Sequence, residues 1–197
     1  MRKAGGPFRR QGTIGAAVAA ALTLAACASA PSLAIVDLGP AKPHAARPLR
    51  GQIRVGQPVA TADLDSERIL VRESDLSLAT LPGVKWPQGL PSLFGARLVQ
   101  SFQNAGLARY MAGGGAVADY ELDLDIRSFE LDAQKSEVHV EVVAKIVAAA
   151  SGRVAAVDIF SARVPVSATD GPTVVAALDQ ASASVMTRIV AFVARSI

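Results

Sequence analysis

Three segments in the second half of the chain alternate apolar and polar residues with the period of two that is typical of β-strands. They are Asp119–Leu131, Glu137–Ala148 and Val154–Val166. The alternation in the first segment shifts phase at Ser128, which predicts a β-bulge there. The turn sequence Ser151-Gly152-Arg153 separates the last two segments. The pattern therefore predicts an antiparallel meander with one apolar face and one wet face.

Two other segments carry apolar residues at the spacing of an α-helix. The first runs from about Gly89 to Ala105, has Pro91 in its first turn, and is followed by Gly106 as a C-terminal cap. The second opens at Asp170-Gly171-Pro172 and continues for about 24 residues at helical spacing. Two amphipathic helices beside one half-wet sheet predict an α+β fold. We expect a two-layer sandwich, an antiparallel sheet with two amphipathic helices on one face.

The region between residues 33 and 89 shows only short apolar stretches. Ile53, Val55 and Val59 predict one short strand, and Ile69-Leu70-Val71-Arg72 predicts another. Ile35-Val36-Asp37-Leu38-Gly39 is apolar enough for a further short strand. Farther along, Gly113-Gly114-Gly115 predicts a flexible break.

The charge distribution separates the N-terminus from the rest of the chain. The formal net charge is +3, but residues 1–26 hold Arg2, Lys3, Arg9 and Arg10 and no acidic residue. The remaining residues include 16 basic and 17 acidic side chains, a formal charge of −1. The basic character therefore belongs to the N-terminal segment and does not indicate an anionic partner.

The N-terminal segment has the organisation of a secretory signal peptide. A basic region precedes an uncharged run, Ile14–Ala25, which is shorter than the roughly 20 apolar residues of a membrane-spanning helix. The run ends in Leu24-Ala25-Ala26-Cys27, which resembles the bacterial lipobox, in which the cysteine accepts the lipid. Cys27 is the only cysteine in the chain. The alternative is a buried cysteine that packs as a small apolar residue in an Ala-rich helix.

Proline-rich composition follows the lipobox. Residues 28–50 include Pro31, Pro40, Pro43 and Pro48, which is typical of a linker. The predicted organisation is therefore a lipoprotein signal peptide at 1–26, a Pro-rich tether at 27–50 and an α+β domain at 51–197.

Candidate catalytic, metal and nucleotide residues are few. Of the two histidines, His44 lies in the predicted tether, and His139 lies on the polar face of a strand between Glu137 and Glu141. A solvent-exposed strand residue is the simpler interpretation of His139, and no nucleophile motif accompanies it. The acidic residues from Asp119 to Asp125 predict a solvated strand face, and the alternative is a docking patch for a basic partner. We expect no cofactor, no metal site and no nucleic-acid binding.

Trp86 is the single tryptophan, and it stands shortly before the first predicted helix. We consider two roles for this position. Trp86 packs over the helix end as part of the core, or Trp86 and Leu90 form a partner or ligand contact.

In order along the chain, several motifs resemble the ABC-type transport auxiliary lipoprotein family, the group that includes the paraquat-inducible protein C-like lipoproteins. The matching features include the lipobox cysteine, a short apolar segment, a Trp–Pro pair before a helix, a long strand and an Ala-rich last helix. They are carried by Cys27, Asp37-Leu38-Gly39, Ala62-Asp63-Leu64-Asp65, Ile69-Leu70-Val71-Arg72, Trp86, Pro91, Tyr120-Glu121-Leu122, Phe129 and the terminal helix. The sequence departs from the family pattern at Ile35 and Val36, where aromatic residues are often found.

This resemblance implies an outer-membrane lipoprotein on the periplasmic face, held there by its lipid anchor. Its implied partners are an ABC ATPase, a permease and a periplasmic mammalian-cell-entry-domain protein that together move lipids between membranes. The protein itself would be a non-catalytic accessory subunit, and a homo-oligomer is left open. A rival hypothesis is a stand-alone lipoprotein that carries a hydrophobic ligand between its helices and sheet. A third, a periplasmic hydrolase, would depend on His139.

Overall fold

The computed structural model describes residues 33–197, so the predicted signal peptide and Cys27 lie outside the described residues. Within this part of the chain, two α-helices and a 3₁₀ turn accompany nine strands. The strands are β1 (Ala34–Ile35), β2 (Ile53–Val55), β3 (Val59–Ala60), β4 (Leu70–Ser74), β5 (Ser77–Thr80), β6 (Val84–Lys85), β7 (Tyr120–Asp132), β8 (Glu137–Ala148) and β9 (Arg153–Pro165). The helices are α1 (Leu90–Asn104) and α2 (Gly171–Ser196), and the 3₁₀ turn is Ala108–Tyr110.

The three long strands form the predicted antiparallel meander, with β8 paired to β7 on one edge and to β9 on the other. The register of β7 shifts between Ile126 and Ser128, which confirms the predicted bulge and makes Arg127 the extra residue. Apolar residues of β7 and β8 point to one face and are almost completely buried. They are Leu122, Leu124, Ile126, Phe129, Leu131, Val138, Val140, Val142, Ala144 and Ile146.

Three short strands pair in parallel along the other edge of β7. β2 pairs with its first residues, β3 with its middle and β4 with its end, and β5 extends the sheet from β4. The predicted fold class is confirmed, but the sheet is mixed rather than wholly antiparallel. Ile53, Val55 and Val59 also belong to two strands rather than one, because Pro58 cannot donate to a ladder and ends the pairing between them.

Both helices cover the apolar face of the sheet. α1 packs over β7, where the Phe94 and Phe129 ring centroids are 6.5 Å apart. α2 packs over β8 and β9, where the Phe160 and Phe192 centroids are 5.5 Å apart. The result is the two-layer arrangement that the amphipathic pattern predicts.

The ends of the helices match the sequence expectations. Gly106 has φ +79°, its N–H donates to the Gln103 carbonyl, and the Leu107 N–H donates to the Phe102 carbonyl, the pair of bonds that defines a Schellman motif. Gly106 is therefore the C-terminal cap of α1, as predicted. At α2 the Asp170 side chain accepts a hydrogen bond from the Thr173 N–H at 3.1 Å.

Residues 33–50, here called the N-terminal strap, belong to the packed domain. β1 pairs in parallel with β6, and Leu38, Ala41 and Leu49 are no more than 6% exposed. The sequence assigns this stretch to a Pro-rich tether because its composition is that of a linker. Its three buried apolar side chains instead make residues 33–50 part of the core.

Candidate functional site

The N-terminal strap lies against both helices. The Gly39 N–H donates to Asp179 Oδ1 of α2 at 2.6 Å. The Ala41 N–H donates to Ser101 Oγ of α1 at 2.9 Å. Farther along, the Ala46 N–H donates to the Ala105 carbonyl at 3.1 Å. The strap is therefore bonded to the helices along most of its length.

An ion pair and a side-chain amide complete these contacts. Arg97 of α1 pairs with Asp37, and Asn104 Nδ2 donates to the Ala41 carbonyl at 2.9 Å. Because these partners come from the strap and from helices far away in sequence, composition alone gives no indication of them.

Trp86 and Leu90 are core residues, with exposed fractions of 0% and 1%. The Trp86 ring stands edge-on to Phe129 with centroids 6.0 Å apart, and the Trp86 backbone N–H donates to the Glu67 carbonyl. The interpretation of these two side chains as a partner or ligand contact is therefore corrected. Both are enclosed between α1 and the sheet, where a partner does not reach them.

His139 lies on the face of the sheet turned away from the helices. Its Nε2 is 2.9 Å from Ser161 Oγ and 3.8 Å from Glu141 Oε2. Burial lowers the pKa of His139, and the positive charge of Arg163 lowers it further. In a catalytic triad the carboxylate binds the opposite ring nitrogen from the one that faces the hydroxyl, whereas here one nitrogen faces both groups. The backbone of β8 is also paired on both edges, so its N–H groups do not form an oxyanion hole beside His139.

The same face carries an ion pair that the sequence analysis did not identify. Arg72 of β4 binds Glu130 of β7 through two hydrogen bonds, of 2.6 and 3.0 Å, and Glu130 is only 5% exposed. The hydrogen bond to Glu130 raises the pKa of Arg72. The pair joins β4 to β7, and its two residues are brought together by the parallel register, which sequence spacing does not reveal.

The acidic residues at the start of β7 also lie on this outer face, where Asp123 neighbours Lys145 and Asp125 is 3.5 Å from Arg127. Among residues 33–197, no three His, Cys, Asp or Glu side chains come together in a group that could hold a metal ion.

The surface of the described domain carries several open depressions. The space between the helices and the sheet is filled by large side chains, among them Phe94, Phe102 and Phe129, each no more than 1% exposed. One surface groove of about 450 Å³ lies between the strap and the end of α2. Its rim carries the cationic side chains of Arg47 and Arg195, and Val190 and Ala194 contribute to its apolar lining.

α2 is long and apolar enough to cross a membrane by length and composition alone. Its apolar stripe, however, packs on the sheet, with Val174, Leu178, Val185 and Ile189 fully buried. These contacts are those of a core helix.

Comparison with known proteins gives matches over most of the domain. A family model described as the ABC-type transport auxiliary lipoprotein component matches residues 35–190. One match is the crystal structure of protein XCC0632 from Xanthomonas campestris, of the DUF330 family, whose sequence is 31% identical to this chain. The match covers 84% of this chain and 94% of that one, with a TM-score of 0.67. A crystal structure of an uncharacterized protein, 16% identical, matches 76% of this chain and 97% of its own with a TM-score of 0.60.

A curated relative is much longer than the matched region. The uncharacterized protein bll6063 of Bradyrhizobium diazoefficiens is 32% identical over 111 residues, which are 54% of this chain and 28% of that protein. The match thus spans little more than a quarter of that relative. The family model, in contrast, covers the end of β1 to most of α2, and the chain belongs to the ABC-type transport auxiliary lipoprotein family.

Proposed function

We propose that the protein is a periplasmic lipoprotein anchored to the outer membrane through lipid on Cys27. In this proposal it is a non-catalytic accessory subunit of an ABC-type system that moves lipids between membranes. The system would also contain an ATPase, a permease and a mammalian-cell-entry-domain protein. The observation that carries the proposal is the family match over residues 35–190.

The sequence before the domain supports the lipid anchor. Leu24-Ala25-Ala26-Cys27 has the pattern of a lipobox, and Ala28 and Ser29 do not include the Asp associated with retention in the inner membrane. Since the packed domain begins at Leu33, the six residue steps from Cys27 reach at most about 20 Å. The domain would therefore stay close to the membrane that holds its anchor.

The filled interior supports an accessory role over a lipid carrier. A carrier that encloses its ligand needs a chamber, and typical ligand sites of about 300 to 1,000 Å³ bury most of the ligand surface. The side chains between the two layers here are packed against one another instead. On the outer face, the His139 and Ser161 geometry also gives a hydrolase no support.

The anchor is tested with Cys27→Ser, compared with Ser29→Ala as a matched control beside it. Cells are labelled with an alkyne analogue of palmitate, and their membranes are separated on a density gradient. We expect the unchanged protein and Ser29→Ala to carry label and to sediment with the outer membrane, and Cys27→Ser to lose both. Label that persists in Cys27→Ser, or sedimentation of the unchanged protein with the inner membrane, contradicts the proposed anchor.

The accessory role is tested by purifying the full-length protein from mildly solubilised membranes. We expect the ATPase, the permease and the mammalian-cell-entry-domain protein in stoichiometric amounts. Recovery of none of these proteins argues against the role. Stoichiometric lipid on the isolated domain would instead favour the carrier.

A further inference from the structure

The last strand of the meander is an edge strand. β9 pairs with β8 along one side, and within residues 33–197 no strand pairs with its other side. The strand is 13 residues long, and Val154, Val157 and Ile159 on it are 53–57% exposed. A long edge with exposed β-branched side chains is a template for pairing with another strand, and proteins usually cover or charge such edges.

The register with β8 places the side chains of β9 on its two faces. Val154 lies opposite Val147 and Val157 lies opposite Lys145, so both valines point away from the helices. They share a face in spite of their odd separation because the register shifts between Ile146 and Val147, which makes Ala155 an extra residue.

The charged residues that flank these valines share the opposite face. Arg153 lies opposite Ala148 and Asp158 lies opposite Ala144, both on the helix side of the sheet. Among the described residues neither side chain takes part in an ion pair. Asp158 Oδ1 accepts a hydrogen bond only from the neighbouring Ile159 N–H. Both charges are therefore available at the open edge.

The segment from Arg153 to Asp158, with the sequence Arg-Val-Ala-Ala-Val-Asp, is complementary to itself when it is reversed. In an antiparallel pair centred between Ala155 and Ala156, Val154 faces Val157 of the second copy, and Arg153 faces Asp158 of the second copy. Two-fold symmetry repeats both contacts. Opposite charges and β-branched pairs directly across two strands are the combinations that stabilise a sheet.

We propose that residues 153–158 of β9 pair with the same segment of a second copy of this chain, which joins the two sheets into one. The two-fold axis makes the interface isologous, so that it closes at two copies. A ladder of six residues is small for an interface, so the dimer is weak and its assembly is measured at high protein concentration.

Charge variants give a direct test on residues 33–197, which form one compact unit with the complete described core and contain no cysteine. Asp158→Arg places Arg against Arg at both symmetric contacts, and Arg153→Asp places Asp against Asp. We expect sedimentation equilibrium to show a monomer–dimer equilibrium for the unchanged protein and monomers for either variant alone. A mixture of the two variants is expected to form a heterodimer, because each contact then joins Arg to Asp. The double variant Arg153→Asp with Asp158→Arg is expected to dimerise again.

Valine substitutions test the other contact. Val157→Lys is expected to weaken the dimer, whereas Val59→Lys serves as a matched control. Val59 is 61% exposed on the same outer face but lies on β3, away from the β9 edge. The circular dichroism and the Trp86 emission of each variant establish that it is folded.

A monomeric unchanged protein at the highest concentration reached overturns the proposal. So does a dimer that persists in both single charge variants, or one that Val59→Lys weakens as much as Val157→Lys. A partner strand from a different protein would leave the isolated domain monomeric and count among these outcomes. Because the test needs neither lipid nor a transport partner, its result is separate from that of the proposed function.

Discussion

The side chain of Trp86 joins the region before α1 to the sheet through its contact with Phe129, which in turn contacts Phe94. All three rings are no more than 1% exposed. Aromatic pairs of this edge-to-face kind add to the free energy gained by burial. Trp86 therefore stabilises the domain, and its position as the single tryptophan makes it a probe of folding.

Replacing Trp86 with Ala leaves a cavity among these rings. We expect Trp86→Ala to lower the free energy of unfolding by about 3–5 kcal/mol, measured in urea by circular dichroism because the variant has no tryptophan. Trp86→Phe is expected to lose less. Val117→Ala is the control, since Val117 is 88% exposed, and a change there of more than about 0.5 kcal/mol would mean that burial does not set the cost.

The lowered pKa of His139 makes the stability of the domain depend on pH. Burial disfavours the charged imidazole, and Arg163 opposes it too, whereas Glu141, Glu130 and Glu137 favour it more weakly. In the unfolded chain the imidazole of His139 titrates near pH 6.5, so the unfolded chain binds this proton at a higher pH than the folded chain does. The contribution of His139 is therefore complete above about pH 6.5 and is lost as the pH falls through the folded pKa.

We expect His139→Gln to reduce the loss of stability between about pH 7.5 and 5.5, measured as urea midpoints across that range. His44→Gln is the matched control, because His44 is exposed on the strap. Equal slopes in the unchanged protein and His139→Gln would show that protonation of His139 does not oppose folding.

Single residues also show which features of a site can be predicted from sequence. Alternation placed His139 on the polar strand face correctly, but its contact with Ser161 depends on the pairing of β8 with β9. Trp86 lies in the loop before α1 and Leu90 is the first residue of α1, and neither has a periodic partner before it, so sequence alone left open whether they lie inside or outside. The loop that contains Ser66 and Glu67 packs against them: the Trp86 backbone N–H donates to the Glu67 carbonyl, and the Leu90 backbone N–H donates to the Ser66 carbonyl.

At the scale of elements, periodicity predicted the long units and missed the short ones. α1, α2, β7 and β8 each bury one face over most of their length, so their patterns are strong, whereas β9 alternates but buries only Phe160. β5 and β6 have four and two residues and follow a neighbouring strand rather than a pattern of their own. The parallel pairing of β2, β3 and β4 with β7 is equally invisible, because alternation does not specify strand direction.

The strap is an element without regular secondary structure, and Ser101 holds its middle. Ser101 is fully buried, and its Oγ accepts from the Ala41 N–H at 2.9 Å and donates to the Arg97 carbonyl at 2.7 Å. We expect Ser101→Ala to cost about 1–3 kcal/mol of stability, because the buried Ala41 N–H loses its acceptor.

Hydrogen exchange locates this effect. The amides of residues 38–46 are expected to exchange faster in Ser101→Ala, while those of β8 keep their order of protection. Ser92→Ala removes an exposed hydroxyl that accepts from Gln57 at 3.0 Å, and it should leave the strap unchanged. If the strap exchanges at the same rate in Ser101→Ala, then Ser101 does not hold it.

At the scale of the whole molecule, the start of the strap lies at one end of the sheet, and the lipid anchor that we propose would connect to the domain at that end. The Val36 N–H donates to the Lys85 carbonyl at 2.9 Å, so Trp86 lies beside the start of the strap. Tyr110 lies near the other end of the sheet, next to Met111, which bridges to Ile53. Ile53 pairs with Tyr120 and Trp86 contacts Phe129, and these β7 positions are about 30 Å apart at the usual rise of a strand.

This orientation is testable by energy transfer from tryptophan to dansyl-labelled lipid in vesicles that carry the lipidated protein. We expect strong transfer from Trp86 and weak transfer from a variant that combines Trp86→Phe with Tyr110→Trp. Insertion of 20 Gly and Ser residues after Ser32 is expected to reduce the transfer from Trp86. Equal transfer from both tryptophan positions would show that the Trp86 end of the domain does not face the membrane.

The bonding of the strap to the helices has a mechanical consequence. If the chain is held at the anchor that we propose, a pull loads the strap contacts in sequence. The pairing of β1 with β6 is loaded first, then the contacts of Asp37 and Gly39, then those of Ala41 and Ala46. Fully released, its 18 residues would reach at most about 60 Å from Arg50 while β7, β8 and β9 keep their ladder. Because the strap is held by single bonds and the sheet by continuous ladders, we expect the strap to open under load before the sheet does.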